Sequence, residues 1–406
     1  MNADELMTIL KDNAYIRTGG SEEELRCAKY IQEKVAELGG KATLQPFDVP
    51  MAKINTAELT VDGVNIPCTG YFCCGSWDVE APLYYLRDTD PVSLANCKGK
   101  IVLLDSFVGY WKYQDLKEAG ILGYITCNGS LFLPDRDIDQ KEQRSYVHQG
   151  NRMPAVNIHA TDAVEIVGRK GKTARIRIRQ EEWTGKSHNV ILDIPGEVED
   201  YIAFTAHYDS THLSVGVYDN LSGCAGLLYM AEYFLKNPQH YSLRFIWTGS
   251  EERGLLGAKY YCEDPARIEN CVLNINLDMI GCLMGKFISC VSGEEKICNY
   301  ISAMSAELGF ANNAYQGIYS SDSTPFADKN IPSISFARNA LRSMAGYHDR
   351  YDILEVMSGE QMEEDFAFVL SFGKRMAGAK VFPFERKIPD TIRAKLDNYL
   401  GVKRMN

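Results

Sequence analysis

The sequence predicts an α/β fold in which a mostly parallel central sheet carries helices on both faces and holds an inserted β-rich domain. From residue 186 onward, apolar strands alternate with helices, as in a parallel sheet covered on both sides. Between residues 49 and 185 the pattern changes to short strands and turns. At 406 residues the chain is also too long for one ordinary core. We therefore expect a catalytic domain formed by residues 1–48 and 186–406, and an inserted domain formed by residues 49–185.

The amino-terminal region is predicted to be helical. Apolar side chains recur every three or four residues between positions 22 and 38, and Gly39-Gly40 ends that helix. Residues 42–49 follow as a strand, in which Pro46 favours a position at a sheet edge.

The inserted region contains a strand–helix–strand pattern. Residues 100–105 are an apolar strand, residues 113–119 a helix that ends at Gly120, and residues 122–126 a second strand. Residues 173–179 alternate strictly between arginine or threonine and apolar side chains, which predicts a half-buried strand.

The region after residue 186 supplies most of the central sheet. Its predicted strands are residues 189–194, 201–205, 243–248, 272–277, 287–291 and 331–336. Its predicted helices are residues 222–235, 255–262, 294–308 and 358–374, and the tail from residue 383 adds one short helix. Ligands of such sheets bind beyond the carboxyl ends of the parallel strands, so that edge is where a site is expected.

Composition limits the possible partners. A net charge of −11 disfavours nucleic acid, which needs a basic face, and suits cationic substrates such as peptides with a free amino end. No run approaches the roughly 20 apolar residues needed to span a bilayer, and no signal peptide is visible. The twelve cysteines are scattered, which favours reduced thiols and a cytoplasmic location. Oligomeric state leaves no signal in the sequence.

The first candidate ligand is His207, which directly follows the apolar run 201–206. A histidine at a strand end is more often a satisfied core residue. Asp209 changes that balance, because a metal-bound imidazole needs an acceptor for its second ring nitrogen and a carboxylate two residues on can provide it.

Two further acidic sites follow. Asp219 precedes a long apolar helix, where an N-cap is the ordinary interpretation, although a carboxylate there can also bridge two ions. Glu251 and Glu252 follow the strand 243–248, where a solvated loop is the ordinary interpretation. Adjacent side chains diverge, so one can bind a metal while the other faces water.

The last two candidates are Asp278, after the strand 272–277, and His348, after the strand 331–336 and a loop. A lone aspartate after a strand is usually a turn former. Together, however, two imidazoles and three carboxylates at strand ends of one α/β domain favour a shared site. Such a set can hold two zinc ions around one carboxylate, with Glu251 as the base that activates water.

These residues resemble the two-zinc aminopeptidases of peptidase clan MH, the relatives of bacterial leucyl aminopeptidases and glutamate carboxypeptidases. The matching segments are His207-Tyr208-Asp209-Ser210, Tyr218-Asp219-Asn220-Leu221-Ser222-Gly223, Glu251-Glu252-Arg253-Gly254-Leu255-Leu256-Gly257, Asn276-Leu277-Asp278-Met279 and Tyr347-His348. The resemblance covers about residues 186–380. The insert resembles a protease-associated domain around residues 116–120.

The resemblance implies a ligand arrangement. Asp219 would bridge two zinc ions. His207 and Asp278 would complete one site, and Glu252 and His348 the other.

It also implies the remaining roles. Glu251 would be the general base, Asp209 would orient His207, and Tyr347 would donate to the oxyanion. The family often has a cis peptide after the bridging aspartate, so we expect one at Asp219–Asn220. In the loop 321–326, Ser323 stands where the family often has histidine.

The favoured function is a metallo-aminopeptidase. The alternative within the superfamily is a carboxypeptidase, a small-peptide amidohydrolase or a glutaminyl cyclase-like enzyme, in which Arg338, Arg342 or Arg350 grips a substrate carboxylate. Surface positions for these arginines are the simpler interpretation. The alternative from another class is a metal-free binding module on the same fold, which should lack a ligand or the base. Candidate residues for the wall of the substrate pocket are Met279, Ile280, Tyr319 and Phe336.

Overall fold

The computed structural model describes residues 1–405 and divides into two compact units. One unit comprises Met1–Val49 and the chain from Lys186 onward, and the other comprises Pro50–Gly185. The α/β class predicted from the sequence is confirmed.

The chain begins with two helices and a long strand, α1 Ala3–Asn13, α2 Glu22–Glu37 and β1 Ala42–Val61. Both helices begin at a side-chain cap. Asn2 and Glu5 form a capping box on α1, and the Ser21 side chain accepts the amide of Glu24 at the start of α2.

The unit of residues 50–185 is built on a small sheet. Its elements are β2 Val64–Ile66, β3 Cys68–Gly70, β4 Trp77–Tyr85, α3 Pro91–Ala95, β5 Ile101–Leu103, α4 Tyr110–Glu118, β6 Gly123–Asn128, α5 Ser145–His148, β7 Ala155–His159, α6 Ala160–Gly168 and the first part of β8 Thr173–Ile194. The strands lie in the order β8-β4-β5-β6-β7-β3, and the pairs from β4 to β7 are parallel. A separate core of buried apolar side chains stabilises this unit.

The larger unit continues after β8. Its elements are β9 Val198–His207, α7 Ser222–Lys236, β10 Tyr241–Thr248, α8 Leu256–Glu263, α9 Pro265–Ile268, β11 Cys271–Leu277, β12 Lys286–Ser292, α10 Glu295–Leu308, β13 Asn313–Gln316, α11 Ser323–Asp328, β14 Ser333–Asn339, α12 Gly359–Ala377 and α13 Asp390–Tyr399. A π-turn at Val217–Leu221 and a 3₁₀ turn at Leu354–Val356 complete it. The predicted cap of α12 is confirmed, because the Ser358 side chain accepts the amide of Gln361.

The central sheet of the larger unit has the strand order β13-β12-β14-β11-β9-β10-β8. Its four central strands, β14, β11, β9 and β10, are mutually parallel, so their carboxyl ends share one edge. Successive side chains of β9 point to opposite faces of the sheet, and each face packs against its own apolar core. Ile202 and Phe204 lie in the larger core, whereas Tyr201 and Ala203 lie in the smaller one. Helices therefore cover both faces, as predicted.

All twelve cysteines are free thiols, and Cys224, Cys271 and Cys290 are buried as expected of core residues. Among the helices of residues 1–405, none combines the length and apolar character needed to cross a bilayer.

Candidate metal centre

His207 is the last residue of β9 and is almost fully buried at the edge of the parallel sheet. Its Nε2 lies 3.1 Å from Oδ1 of Asp219 and 3.6 Å from Oδ1 of Asp278. Asp278 directly follows β11, the parallel neighbour of β9. Two neighbouring strand ends and the turn that carries Asp219 therefore bring three ligand-type groups together.

Asp219 lies within the π-turn, and its peptide bond to Asn220 is cis, as predicted. One carboxylate oxygen faces His207, and the other, Oδ2, lies 3.0 Å from Nε2 of His348. Asp219 thus stands between the two imidazoles, which is the position required of a carboxylate shared by two ions. The side chain of His348 is 42% exposed, so the cluster is open to solvent on that side.

Glu251 and Glu252 follow the carboxyl end of β10. Oε1 of Glu252 lies 3.1 Å from Nε2 of His348. The carboxylate of Asp209 accepts both main-chain amides: Oδ1 lies 2.9 Å from the nitrogen of Glu251, and Oδ2 lies 3.1 Å from that of Glu252. Asp209 therefore fixes the turn that carries the two glutamates.

The ligand-type groups form three overlapping sets, each with its atoms within 4.8 Å of one another. The sets are His207 with Asp219 and Asp278, His207 with Glu251 and Glu252, and Asp219 with Glu252 and His348. All five ligands predicted from the sequence and the predicted base therefore come together.

The carboxylates of the cluster are arranged for a cation. Oδ1 of Asp278 is buried and accepts no hydrogen bond from any residue between positions 1 and 405. A buried carboxylate oxygen without a donor costs free energy, and a cation bound against it offsets that cost. Hard carboxylate oxygens and imidazole nitrogens are ligands that zinc accepts, so these residues fit the metal implied by the sequence.

The pKa values of the acids and imidazoles in the cluster are shifted because these groups are buried close to one another. Burial raises the pKa of Glu251 well above its ordinary value, and the carboxylate of Glu252 adds to that effect. Burial by itself lowers the pKa of His207, but the nearby carboxylates outweigh it and raise that pKa well above its ordinary value. The same balance raises the pKa of His348. For Asp219 burial is outweighed by hydrogen bonds from both imidazoles, so its pKa is lowered.

Asp209 also contacts His207, as predicted. Nδ1 of the imidazole lies 3.3 Å from the carbonyl oxygen of Asp209 and 3.5 Å from its Oδ1. The backbone carbonyl is thus the closer acceptor, while the carboxylate contacts both the imidazole and the amides of Glu251 and Glu252. The sequence predicted the contact of Asp209 with His207 but not its bonds to the main-chain amides of Glu251 and Glu252.

We expect Asp209→Asn to weaken zinc binding by about 10- to 100-fold, the usual cost of losing a partner of a metal ligand. The amide has one acceptor oxygen where the carboxylate has two, so it cannot serve the imidazole and both glutamate amides. Competition with a chromogenic chelator measures the affinity. Asp193→Asn is the matched control, because Asp193 is 60% exposed and pairs with Arg244 instead. Equal affinity in Asp209→Asn and wild type would contradict this role.

Two other buried acids support the site and carried no signal in the sequence. Asp352 accepts the amide of Tyr218 at 2.7 Å and that of Asp219 at 3.1 Å, which holds the turn of the shared carboxylate. Glu24 accepts the amide of Ser250 at 2.8 Å, directly before the two glutamates. Burial raises the pKa of Asp352 to about 7 and that of Glu24 to about 8.

Tyr347 and Tyr319 both lie near the cluster, and their contacts differ from the roles predicted for them. The ring of Tyr347, the predicted oxyanion donor, packs 5.1 Å from the ring of His348, and the guanidinium of Arg342 lies over it. The hydroxyl of Tyr319 lies 3.4 Å from the carbonyl oxygen of Asp278. Burial, with Asp278 nearby, raises the pKa of Tyr319 well above its usual value. Tyr319 was expected only as a pocket wall, and it is a second candidate donor.

Residues 321–323 are tied into the sheet by side-chain hydrogen bonds. Asp322 is fully buried and accepts the hydroxyl of Thr248 at 2.5 Å. Ser323, at the position where histidine is common, accepts the hydroxyl of Ser335 at 2.8 Å. A serine here thus serves the packing of α11 against β14.

Of the three arginines that the sequence places near His348, Arg338 forms an ion pair with Asp365. Its guanidinium forms a paired contact with the buried carboxylate of Asp365, with distances of 2.6 and 2.9 Å. Arg342 is 63% exposed and lies 3.4 Å from Asp349. The predicted surface setting therefore holds for Arg342, while Arg338 belongs to a largely buried ion pair.

Comparison with known proteins gives a family match within the larger unit. Residues 189–372 match the model of Peptidase family M28, and every candidate ligand lies in that segment. Aminopeptidase YwaD of Bacillus subtilis (strain 168) is 27% identical over 376 residues, which cover 86% of this chain and 78% of that protein. Leucine aminopeptidase 2 of Trichophyton rubrum is 29% identical over 200 residues, which cover 46% of this chain and 38% of that protein.

Solved structures share the fold over nearly the whole chain. An aminopeptidase from Aneurinibacillus sp. strain AM-1 superposes with a TM-score of 0.78 at 23% identity, covering 95% of this chain and 96% of that one. BSAP, a zinc aminopeptidase from Bacillus subtilis, gives 0.77 at 23% identity, covering 96% and 99%. At this level of identity the likeness establishes the fold.

Proposed function

We infer from the match of residues 189–372 to the model of Peptidase family M28 that this chain is a zinc-dependent aminopeptidase, which hydrolyses the amino-terminal peptide bond of its substrate. The observation that carries the proposal is the position of Asp219 between His207 and His348, with Asp278 and Glu252 on either side. A metal-free binding module would have no need for such an arrangement of buried carboxylates.

We propose that the chain holds two zinc ions, with Asp219 as the shared ligand. His207 and Asp278 would complete one site, and Glu252 and His348 the other. When bound, zinc supplies Lewis acidity that polarises the scissile carbonyl and lowers the pKa of water toward about 7. The donor set and its burial support this assignment.

Glu251 is proposed as the general base. Its carboxylate takes a proton from the attacking water, and the resulting carboxyl group gives that proton to the nitrogen of the leaving amine as the carbon–nitrogen bond breaks. A base serves best when its pKa lies near the working pH, and burial moves the pKa of Glu251 upward in that direction. Tyr347 is proposed to donate to the carbonyl oxygen as negative charge develops there, with Tyr319 as the second candidate.

The acidic character of the site supports a substrate with a positive charge at its amino end. The names of the relatives, Aminopeptidase YwaD and leucine aminopeptidase 2, support the same class. A carboxypeptidase needs a free cation to hold the terminal carboxylate, and Arg338 is already paired with Asp365. Arg338 is therefore unsuited to that role, which favours release of the amino-terminal residue.

Residues 50–185 are proposed to be a protease-associated-like insert. Their own core and the parallel order of β4 to β7 support that assignment. The cytoplasmic location stays a prediction from the sequence.

The test compares substrates that differ only at the amino end. We expect leucyl 4-nitroanilide to be hydrolysed and its N-acetyl derivative to react at least about 10²-fold more slowly in kcat/KM, because acetylation removes the ammonium charge. Dipeptides with acidic carboxyl-terminal residues serve as the comparison for the alternative. Preference for those dipeptides, or equal rates for the free and acetylated anilides, would contradict the aminopeptidase assignment.

A further inference from the structure

Arg17 lies in the segment of chain that connects α1 to α2. Its side chain is fully buried, although it carries a charge. Buried guanidinium groups usually pair with a carboxylate. The hydrogen bonds of this guanidinium reach main-chain carbonyl oxygens instead, which belong to Asn13, Tyr15, Tyr208, Val215 and Gly216.

Three of those carbonyls belong to the connection of residues 208–216, which joins His207 at the end of β9 to the π-turn that carries Asp219. Nε of Arg17 donates to the carbonyl oxygen of Tyr208, the residue directly after His207. Nη2 donates at 2.7 Å to the carbonyl oxygen of Gly216, three residues before Asp219. One planar guanidinium therefore joins the two ends of this connection, one beside His207 and the other close to Asp219.

The main chain of Arg17 reinforces the connection. Its amide donates at 3.1 Å to the hydroxyl of Ser210, and the amide of Ser210 donates at 3.2 Å to the carbonyl oxygen of Arg17. At the far end of the connection, a Cβ at Gly216 would lie 2.5 Å from the carbonyl oxygen of Asp219 and 2.8 Å from Nη2 of Arg17, and the residue has a φ of +56°. The positive φ and these two close approaches therefore favour glycine at this position.

We propose that Arg17 is a positioning residue of the metal centre, which sets the spacing between His207 and Asp219. The proposal rests on the proposed function, because it requires that these two residues bind zinc. Arginine suits this task since its planar group presents five donors in a fixed geometry, whereas lysine presents three on a flexible stem. The ligand atoms concerned, Nε2 of His207 and Oδ1 of Asp219, are 3.1 Å apart.

The experiment compares zinc affinity in the full-length wild type and in Arg17→Lys. Lysine keeps the charge but cannot bind both ends of the connection at once, so we expect zinc affinity to fall by about 10- to 100-fold, as for other residues that orient ligands. The affinity is measured with zinc alone in competition with a chromogenic chelator. The melting temperature of the metal-free protein is measured in parallel.

Arg244→Lys is the control, because the Arg244 side chain is mostly buried, with 26% exposed, and donates to the Tyr261 hydroxyl at 2.7 Å. We expect it to bind zinc like the wild type. For Arg17→Lys we expect a loss of zinc affinity with a melting temperature, in the metal-free state, close to that of the control. Wild-type zinc affinity in Arg17→Lys would overturn the proposal.

A second variant keeps the test decisive if Arg17→Lys does not fold. Arg17→Gln leaves no buried charge without a partner and retains two donors, and the same loss of zinc affinity is expected. Equal affinity of Arg17→Gln and wild type would overturn the proposal. A wild-type protein that binds no zinc would instead overturn the proposed function, so the two failures are distinguishable.

Discussion

Glu251→Gln is expected to lower kcat by about 10²- to 10⁴-fold, the usual contribution of a general base, while the protein retains its zinc. Glutamine has nearly the shape of glutamate but cannot accept the proton of the attacking water. The main-chain amide of residue 251 keeps its bond to Asp209 in the variant, because that bond does not involve the side chain. The turn and Glu252, a proposed zinc ligand, should therefore stay in place.

The measurement is hydrolysis of leucyl 4-nitroanilide with zinc per chain determined on the same sample. Glu263→Gln is the control, since Glu263 is an exposed acid at the end of α8, and wild-type kcat is expected there. Full activity in Glu251→Gln would remove the assigned base. A loss of activity that parallels a loss of zinc would make Glu251 a ligand rather than a base.

The sheet that carries this site could be predicted because its strands are short, apolar and buried on both faces. Residues 243–248 and 272–277 were predicted as strands, and the structure has β10 at Tyr241–Thr248 and β11 at Cys271–Leu277. Since parallel strands end at one edge, polar residues directly after them were expected to converge. His207, Asp278 and the Glu251-Glu252 pair do converge.

The inserted region was less predictable because tertiary pairing decides its structure. Residues 173–179 and 189–194 were predicted as separate strands, but Thr173–Ile194 is one continuous strand. The stretch between them is rich in polar and exposed side chains, so it has no apolar alternation that would indicate a strand. The β7–α6 pair, Ala155–Gly168, was missed, because Asn157 and His159 interrupt the apolar run of β7.

The residues that hold the ligands could not be found from the sequence. Asp352 contacts the main chain of Asp219 from 133 positions away, and Arg17 contacts that of Gly216 from 199 positions away. Neither follows a strand or forms part of a local pattern. Their partners are backbone atoms, which leave no trace in the types of the neighbouring residues.

Removal of zinc is the second change with a large expected effect. Chelation is expected to lower the rate by about 10³-fold, since a metal supplies several kcal/mol of transition-state stabilisation in such reactions. It should also lower the melting temperature, because zinc that binds only the folded chain stabilises it by about 4 kcal/mol at a thousandfold excess over its Kd. Zinc should restore both, and magnesium should not, because imidazole ligands disfavour it. Undiminished hydrolysis by the metal-free protein would contradict the proposal.

Titration of the metal-free protein with zinc should end at two equivalents per chain. Asp219 faces both imidazoles, so Asp219→Ala should weaken both binding steps. Of the two imidazoles, Asp278 contacts that of His207 and not that of His348. Asp278→Ala is therefore the matched control and should weaken one binding step only. Equal titration curves for the two variants would mean that Asp219 is not shared. That result would contradict the proposed arrangement of two zinc ions around Asp219.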